Sequence, residues 1–289
     1  MEPLKTEKKI YAFDRSAAIT FAHKRDIGKK NEHTLHLNDH VEIYIFIKGD
    51  AHYLVEDRYF VLQEGDVLVI SPYSPHVPII KSECEYERFY LLFPTDALSQ
   101  YLASPIQALL HAAAGQTMIR LPDNEKQAAI SLLYRMSELS QKNASVHAEL
   151  LLHSLAVEFV CLLNMNVSGR EILADEAVRG VPPLVRNVLE YIQIHAAELT
   201  GIAPIAEAFY VSKQHLASIF KKHVGVTVNE YLLTKKISNA KQMLEQGHSV
   251  TFTCFECGFN DCSYFIKVFK RMVGMTPNKY LRQNGKGIT

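Results

Sequence analysis

The chain has 289 residues, 48% of them hydrophobic and 21% charged, with 31 basic side chains balanced by 31 acidic ones. That length allows two domains of ordinary size, and that composition excludes a disordered or low-complexity chain. No apolar run reaches the roughly 18 residues of a membrane span, and the opening MEPLKTEKKI lacks the apolar centre of a signal peptide. Five cysteines without framework spacing suit a reducing cytoplasm, which is the expected compartment. The neutral total hides an asymmetry. Residues 184–289 carry 13 Lys and Arg against 7 Asp and Glu, whereas residues 1–183 carry 18 against 24. A positive field on the C-terminal part is what binding to a polyanion through counterion release requires.

In chain order, residues 1–40 are polar and weakly patterned, with Ala17–His23 expected as an edge strand. β-Branched and aromatic runs then predict strands at Val41–Ile47, His52–Val55, Tyr59–Leu62, Val67–Ile70 and Glu85–Phe93. Lys48-Gly49-Asp50, Glu56-Asp57-Arg58 and Glu64-Gly65-Asp66 read as turns, and Ser71–His76 as a proline-rich loop. Short strands so closely spaced predict a sandwich or barrel. Past residue 95 the period changes. Ile130, Leu133, Met136 and Leu139, then Leu151, Leu152, Leu155, Phe159, Leu162 and Leu163, recur at helical spacing, with a break at Gln141–Ser145. The second of these helices is apolar around more of its circumference than one contact face needs. Asn164–Pro183 has the composition of a linker.

A helix with Val185, Val188, Leu189 and Ile192 on its buried face begins at Leu184. Further on, Ile237, Ala240, Met243 and Leu244 mark one helix, Val250–Cys257 a short second one, and Gly258 a sharp turn. Asp261 stands where an N-cap belongs, opening a helix to about Met272 with Phe265, Val268, Phe269 and Met272 as its inner stripe. A short helix crossing a basic one through a glycine turn is the pattern of a helix-turn-helix. The unit occurs twice: Leu216/Phe265, Phe220/Phe269, Gly225/Gly274, Thr227/Thr276 and Tyr231/Tyr280 all keep an offset of 49. Two such units on one core can place recognition helices about one DNA turn apart, roughly 34 Å.

The stretch from Lys235 to Leu281, with its Cys-Gly-Phe-x-Asp, Ser-Tyr-Phe-x-x-x-Phe-Lys-Arg and Gly-Met-Thr-Pro blocks, resembles the signature of AraC-type bacterial transcription regulators. It departs at Thr253 and Cys254, where that family carries Ile-Ala. Residues 20–95 resemble a cupin, the jelly-roll that forms the N-terminal domain of many such regulators, through the histidine-rich lead-in, Glu42, Gly49, Glu64-Gly65-Asp66, Pro72 and His76. The resemblance implies a multidomain chain. An all-β cupin or jelly-roll sensor with its N-terminal arm (1–95) precedes a helical dimerisation segment (96–165) and a linker (166–183). An all-α domain with two helix-turn-helix motifs (184–289) ends it. The implied partners are double-stranded DNA, a small-molecule effector such as a sugar, a second copy of the chain and RNA polymerase, without a membrane.

Matching the family's base-contact positions selects Gln214, Ala217 and Ser218 in the first unit and Cys262, Ser263 and Lys267 in the second. Gln214 can pair bidentately with adenine and Lys267 can donate to guanine, while Cys262 offers only apolar contact. Lys213 is left for the groove or the backbone, and Lys221, Lys222, Lys270 and Arg271 read as phosphate contacts, which position without specifying. In the barrel, His36, Asn38, Glu42 and His76 match in order the positions with which cupin enzymes hold a divalent metal. Asn38 replaces one imidazole, so no metal and no cofactor is expected. With Tyr44, which shares a face with Glu42 by strand alternation, they are candidates for binding a hydroxylated ligand. His33, His40 and His52 read as surface residues. Cys254, Cys257 and Cys262, near His248, read as packing rather than as a zinc or redox centre. No nucleophile–base set is present, so no enzymatic activity is expected. Two alternatives stay open: a metal-dependent cupin enzyme fused to a DNA-binding module, and a constitutive regulator with a structural barrel.

Overall fold

A computed structural model describes residues 7–12, 18–29, 33–94, 100–112, 118–141, 146–167 and 181–285. The N-terminal part is two antiparallel sheets face to face. The larger has the order β1 (Glu7–Ala12), β2 (Ala18–Gly28), β8 (Cys84–Pro94), β3 (His40–Lys48), β6 (Val67–Ile70) and β9 (Met118–Ile119). The smaller is β5 (Arg58–Val61), β4 (Ala51–Val55) and β7 (His76–Ile80). Period-2 alternation divides the large sheet. Val41, Ile43, Ile45, Phe89, Leu91 and Phe93 pack outward against helices α1 (Gln100–Ala112), α2 (Asp123–Gln141) and α3 (Val146–Val167). Tyr44, Phe46, Leu68, Ile70 and Tyr86 face the small sheet instead, meeting Tyr53, Val55, Phe60 and Leu62.

Several sequence expectations are corrected here. β2 is not an edge strand, since β1 covers one side of it and β8 the other. β1, β7 and α1 carry no strong local signal; β7 holds Pro78 and α1 holds Pro105. The break at Gln141–Ser145 lies, from residue 142 on, outside the described residues, as do residue 17 and positions 168–180 of the expected linker. Asn164–Val167 belong to α3 rather than to that linker. α3 also qualifies by length and composition as a candidate span over Val146–Asn166, with mean hydropathy 1.7 in an 18-residue window. Its inner stripe, Leu152, Leu155, Ala156, Phe159, Val160 and Leu163, is buried against the barrel and its neighbouring helices.

The C-terminal part is helical: α4 (Pro183–His195), α5 (Ile202–Ala208), α6 (Lys213–Val224), α7 (Val228–Glu245), α8 (Val250–Glu256), α9 (Cys262–Val273) and α10 (Pro277–Asn284). Val185, Val188, Leu189 and Ile192 are all buried in α4, as its periodicity predicts. Each unit of the repeat is punctuated alike. Ser212, Thr227, Ser249, Asp261 and Thr276 accept from backbone N–H groups as N-caps. Gly225 and Gly274 close α6 and α9 in the left-handed region. Thr227 and Glu230 add a reciprocal capping box. The internal cores are aromatic: Phe220 stacks edge-on to Tyr231, and Phe265 and Phe269 pack with Tyr280. Each such fully buried ring contributes about 2–3 kcal/mol of transfer free energy.

Candidate DNA interface and effector pocket

The two helix-turn-helix units are α5–α6 and α8–α9, joined by α7. Their turns differ in length: Phe209–Ser212 connects the first pair and Cys257–Asp261, one residue longer, the second. Both recognition helices, α6 and α9, are amphipathic in the sense required. Leu216 and Phe220, and likewise Phe265, Val268 and Phe269, point into the core. Lys213, Gln214, His215, Ala217, Ser218, Lys221 and Lys222 are exposed on α6, and Ser263, Lys267, Lys270 and Arg271 on α9. Every backbone-contact and base-contact candidate except Cys262, which is half-buried, is therefore open to a ligand. Met272 departs from its expected place on the inner stripe and is 36% exposed. The basic residues near the C-termini of α6 and α9 also complement those helices' dipoles.

The cysteines behave as packing residues. Cys254 is buried and donates to the Phe259 carbonyl at 3.7 Å, and Cys257 lies 3.8 Å from the Met243 sulfur. Burial pushes both thiols up to about 12, far from the thiolate range that reactivity needs.

Between the two sheets lies a cavity of about 270 Å³. Its walls are Lys24, Arg88, Tyr90 and Leu92 from β2 and β8, Glu42 and Tyr44 from β3, Tyr53 from β4 and Tyr86 from β8, with His33, His36 and Asn38 from the lead-in and Pro78 from β7. A larger hollow of about 580 Å³ beside the DNA-binding units, lined by Gly201, Asn229, Lys236, Gly258 and Tyr264 among others, is open to solvent.

Four of the five candidate ligand residues line the barrel cavity, and the fifth, His76, stands behind them, fully buried. The His36 and His76 rings lie 4.2 Å apart, and a backbone bridge joins the two residues. His36 Nδ1 meets the Thr34 carbonyl at 3.0 Å and His76 Nδ1 the Ser74 carbonyl at 2.7 Å. A carbonyl only accepts, so both neutral rings carry their proton on Nδ1 and keep the Nε2 lone pair. His76 Nε2 sits 3.2 Å from Glu42 Oε2 without the alignment of a hydrogen bond. Asn38 Nδ2 donates to the same carboxylate oxygen at 2.8 Å. Burial alone would push the Glu42 carboxyl up, but the charge that His76 carries when protonated brings it below its ordinary value. The same pairing raises His76 against the effect of its own burial.

One ligand atom each of His36, Glu42 and His76 lies within 4.8 Å of the others. Two imidazoles and a carboxylate with fixed tautomers fit a divalent cation, and Asn38 supports Glu42 rather than completing the set. The replacement of one imidazole is thus less of an obstacle than composition alone implied. His33, expected at the surface, instead lines the cavity. His52 is tied to the Tyr59 hydroxyl at 2.7 Å, and His40 pairs with Asp39.

The remaining lining residues carried no motif. Lys24 and Arg88 are directly paired in register across β2 and β8. Arg88 donates to Asp26 at 2.8 Å and stacks on Tyr86 at 4.1 Å. Burial and then the neighbouring Arg88 lower the Lys24 ammonium. The Tyr44 and Tyr86 hydroxyls meet at 2.6 Å. The β2–β8 and β3–β8 pairings, between segments distant in sequence, bring these groups to the pocket.

Comparison with known proteins covers both sites. Residues 20–156 match the AraC-like ligand binding domain family and residues 205–283 a helix-turn-helix domain family. The chain is 25% identical over 255 residues to the uncharacterized HTH-type transcriptional regulator YdeC of Bacillus subtilis (strain 168), covering 86% of each chain. It is 24% identical over 294 residues to the HTH-type transcriptional activator RhaR of Enterobacter sp. (strain 638), covering 98% of each. Among solved structures it is similar to ToxT from Vibrio cholerae O395, at 14% identity and a TM-score of 0.35, over 95% of this chain and 100% of that one.

Proposed function

Given that the chain belongs to the AraC family of helix-turn-helix transcription regulators, with an N-terminal AraC-like ligand-binding domain, we propose that it is a cytoplasmic, effector-controlled regulator acting as a homodimer at a promoter. The observation that carries this reading is the pairing of two outward-facing recognition helices with a polar cavity in the barrel. Gln214, Ala217, Ser218, Cys262, Ser263 and Lys267 are the readers of base edges, and Lys213, Lys221, Lys222, Lys270 and Arg271 hold the phosphates. The outer face of α3, with Leu150 and Leu151 about half exposed, supports the dimer. RNA polymerase is the partner through which bound dimer acts.

The DNA arm has a direct test. On a duplex that the protein selects from a randomised pool, fluorescence anisotropy against salt should give log K falling linearly with log[salt]. Lys270→Ala or Lys221→Ala should flatten that slope by about 1 without changing the preferred sequence, because each removes one phosphate contact. Gln214→Ala should leave the slope alone and relax preference at one position by about 1–3 kcal/mol. An unchanged slope in both lysine variants would remove those residues from the interface.

For the effector, the lining supports a small polyhydroxylated molecule, with a carbohydrate first. Tyrosine faces suit the apolar side of a sugar ring, while Glu42, Asn38, Lys24 and the tyrosine hydroxyls suit its OH groups. A second reading is favoured by the three convergent donors. Here His36, Glu42 and His76 hold a divalent cation, which would act as a Lewis acid toward an oxygen-bearing ligand. Thermal unfolding of the full chain against mono- and oligosaccharides, with and without chelator, separates the two. A sugar at 100 times its Kd should add about 2.7 kcal/mol whether or not chelator is present. Loss of stability on chelation, with no sugar effect, would support the cation. A barrel indifferent to every addition would leave a constitutive regulator.

A further inference from the structure

The small sheet of the barrel is docked on the DNA-binding domain, and it touches both halves of the repeat. Leu54, Tyr59, Val77 and Ile79 share a core with α4, α6 and the start of α7. Along α7, Tyr231, Lys235, Ser238, Lys241 and Glu245 follow one another at steps of three and four and so form one stripe. Four of the five are buried although three of the stripe are charged. Their partners lie on two turns of the barrel. At the β4–β5 turn, the Glu56 carbonyl accepts from the Tyr231 hydroxyl at 2.6 Å, and its carboxylate meets Lys235 at 3.3 Å and Gln193 of α4 at 3.4 Å. At the β6–β7 loop, the Tyr73 carbonyl accepts from Ser238, and the Tyr73 hydroxyl meets Glu245 and the Tyr280 hydroxyl of α10. Lys241 lies over the Tyr73 and Tyr280 rings, 4.4 Å and 5.4 Å from their centroids.

A second, independent observation singles out the same two turns. Glu56 (φ 52°) and Tyr73 (φ 65°) are two of the three non-glycine residues with left-handed backbone among those described. Such conformations persist only where the surroundings over-determine them. They are braced to each other, since the Glu56 N–H donates to the Pro75 carbonyl at 2.7 Å. They are also braced to the pocket. The Tyr73 N–H donates to the Asn38 carbonyl at 2.8 Å, Ser74 holds His76 Nδ1, and His76 pairs in register with Val55, next to Glu56.

We propose that the Glu56 and Tyr73 turns are the transmission face of the sensor, through which occupancy of the His36–Glu42–His76 pocket is read by α7 and hence by both helix-turn-helix units. This rests on the reading of the barrel as a sensor. The docked state leaves the exposed residues of α6 and α9 open, so docking does not act by covering the DNA face. It acts by holding α7, the helix both units share, and release of the two turns frees the units from one another.

The test is a double-mutant cycle on the full chain, read by hydrogen exchange of α7 peptides spanning residues 228–245, with α2 and α3 peptides as the control. Tyr73→Phe, which keeps the ring and removes the hydroxyl, should raise α7 exchange about tenfold and leave the control unchanged. Among the described residues His76 makes no hydrogen bond, ion pair or ring contact with α7, yet His76→Ala should raise exchange in the same peptides. In the Tyr73→Phe background it should add little. Additive effects, or an α7 unmoved by His76→Ala, would overturn the proposal. If His76→Ala does not fold, Glu42→Gln takes its place in the cycle, with Glu56→Ala replacing Tyr73→Phe if needed. The sensor reading fails separately, on the thermal-shift panel: coupling between positions 76 and 73 without any effector response would sink that reading and keep the transmission face.

Discussion

Gly258→Ala should unfold the second helix-turn-helix unit and abolish binding to the selected duplex, while the barrel keeps its own unfolding transition. Gly258 ends α8 with φ +74° and donates to the Phe255 carbonyl at 2.9 Å, while Phe259 N–H reaches back to Cys254 at 3.0 Å. A left-handed alanine would cost roughly 1–2 kcal/mol on its own. The larger cost is contact. A Cβ at this position would stand 1.7 Å from the Ala197 carbonyl oxygen and 2.9 Å from Lys236 Nζ, which itself donates to the Gly258 carbonyl. Ala197 lies in the corner between α4 and α5, so this glycine is where the second unit abuts the first. Because the obstacle is a backbone oxygen, Ala197→Gly should not rescue the variant. The total should exceed about 3 kcal/mol, well beyond an ordinary surface substitution. Two internal comparisons calibrate the expectation. A Cβ at Gly225 would meet nothing within 4 Å, so Gly225→Ala should lose only about 1–2 kcal/mol from its backbone. In the first unit the left-handed turn residue is Tyr210, 97% exposed, so a side chain is tolerated there because no neighbour approaches. Hydrogen exchange of α8–α9 peptides and of barrel-strand peptides, followed against denaturant, would read the two domains separately. A single, unshifted transition with intact duplex binding would refute the expectation.

That contrast also explains what the sequence discloses about this fold and what it conceals. The helix-turn-helix half is written in local signals: caps at Ser212, Thr227, Ser249, Asp261 and Thr276, glycines at 225, 258 and 274, and a repeat whose partner residues occupy like positions in both cores. The strands with regular alternation are legible for the same reason. β7 and α1 are not, because Pro78 and Pro105 interrupt the pattern, and neighbours decide the outcome there instead of propensity. In the pocket, His36, Asn38, Glu42, Tyr44 and His76 lie close enough in sequence to form a motif, whereas Lys24, Tyr53, Tyr86, Arg88 and Tyr90 enter only through pairing across β2, β8 and the facing sheet. The α7 stripe is the hardest case. Lys235, Ser238, Lys241 and Glu245 read as a solvated polar face, and it is the docked barrel that covers them. Polar residues at helical spacing carry no mark that tells water from a satisfied interface.

The second large effect is expected in the barrel, at Arg120→Ala. Asp66 closes the Glu64-Gly65-Asp66 turn and is completely buried. Its carboxylate accepts from Gln63 N–H at 2.7 Å, Arg120 Nε at 2.7 Å and Arg120 Nη2 at 2.9 Å, while its carbonyl accepts from Phe46 N–H at 3.0 Å. Arg120 directly follows β9, whose two residues pair with β6 at the edge of the large sheet and lead into α2. The bidentate pair therefore fastens the helical layer to the barrel at one point. Removing the guanidinium leaves the carboxylate buried with one backbone donor, an arrangement that costs about 3–5 kcal/mol in comparable buried pairs. Arg120→Lys should restore little of it, because an ammonium cannot satisfy both oxygens in the fork geometry. Replacing both residues with leucine should be milder than Arg120→Ala alone, since the main penalty is the stranded charge rather than the missing attraction. Equilibrium denaturation in urea measures all four proteins on one scale, and a loss under about 1 kcal/mol for Arg120→Ala would contradict the assignment. Release of β9 would also unseat α2 and, through it, α3, whose outer apolar face supports the proposed dimer. Sedimentation of Arg120→Ala at subdenaturing urea should therefore show dissociation before the small sheet, which rests on the DNA-binding domain, loses its structure.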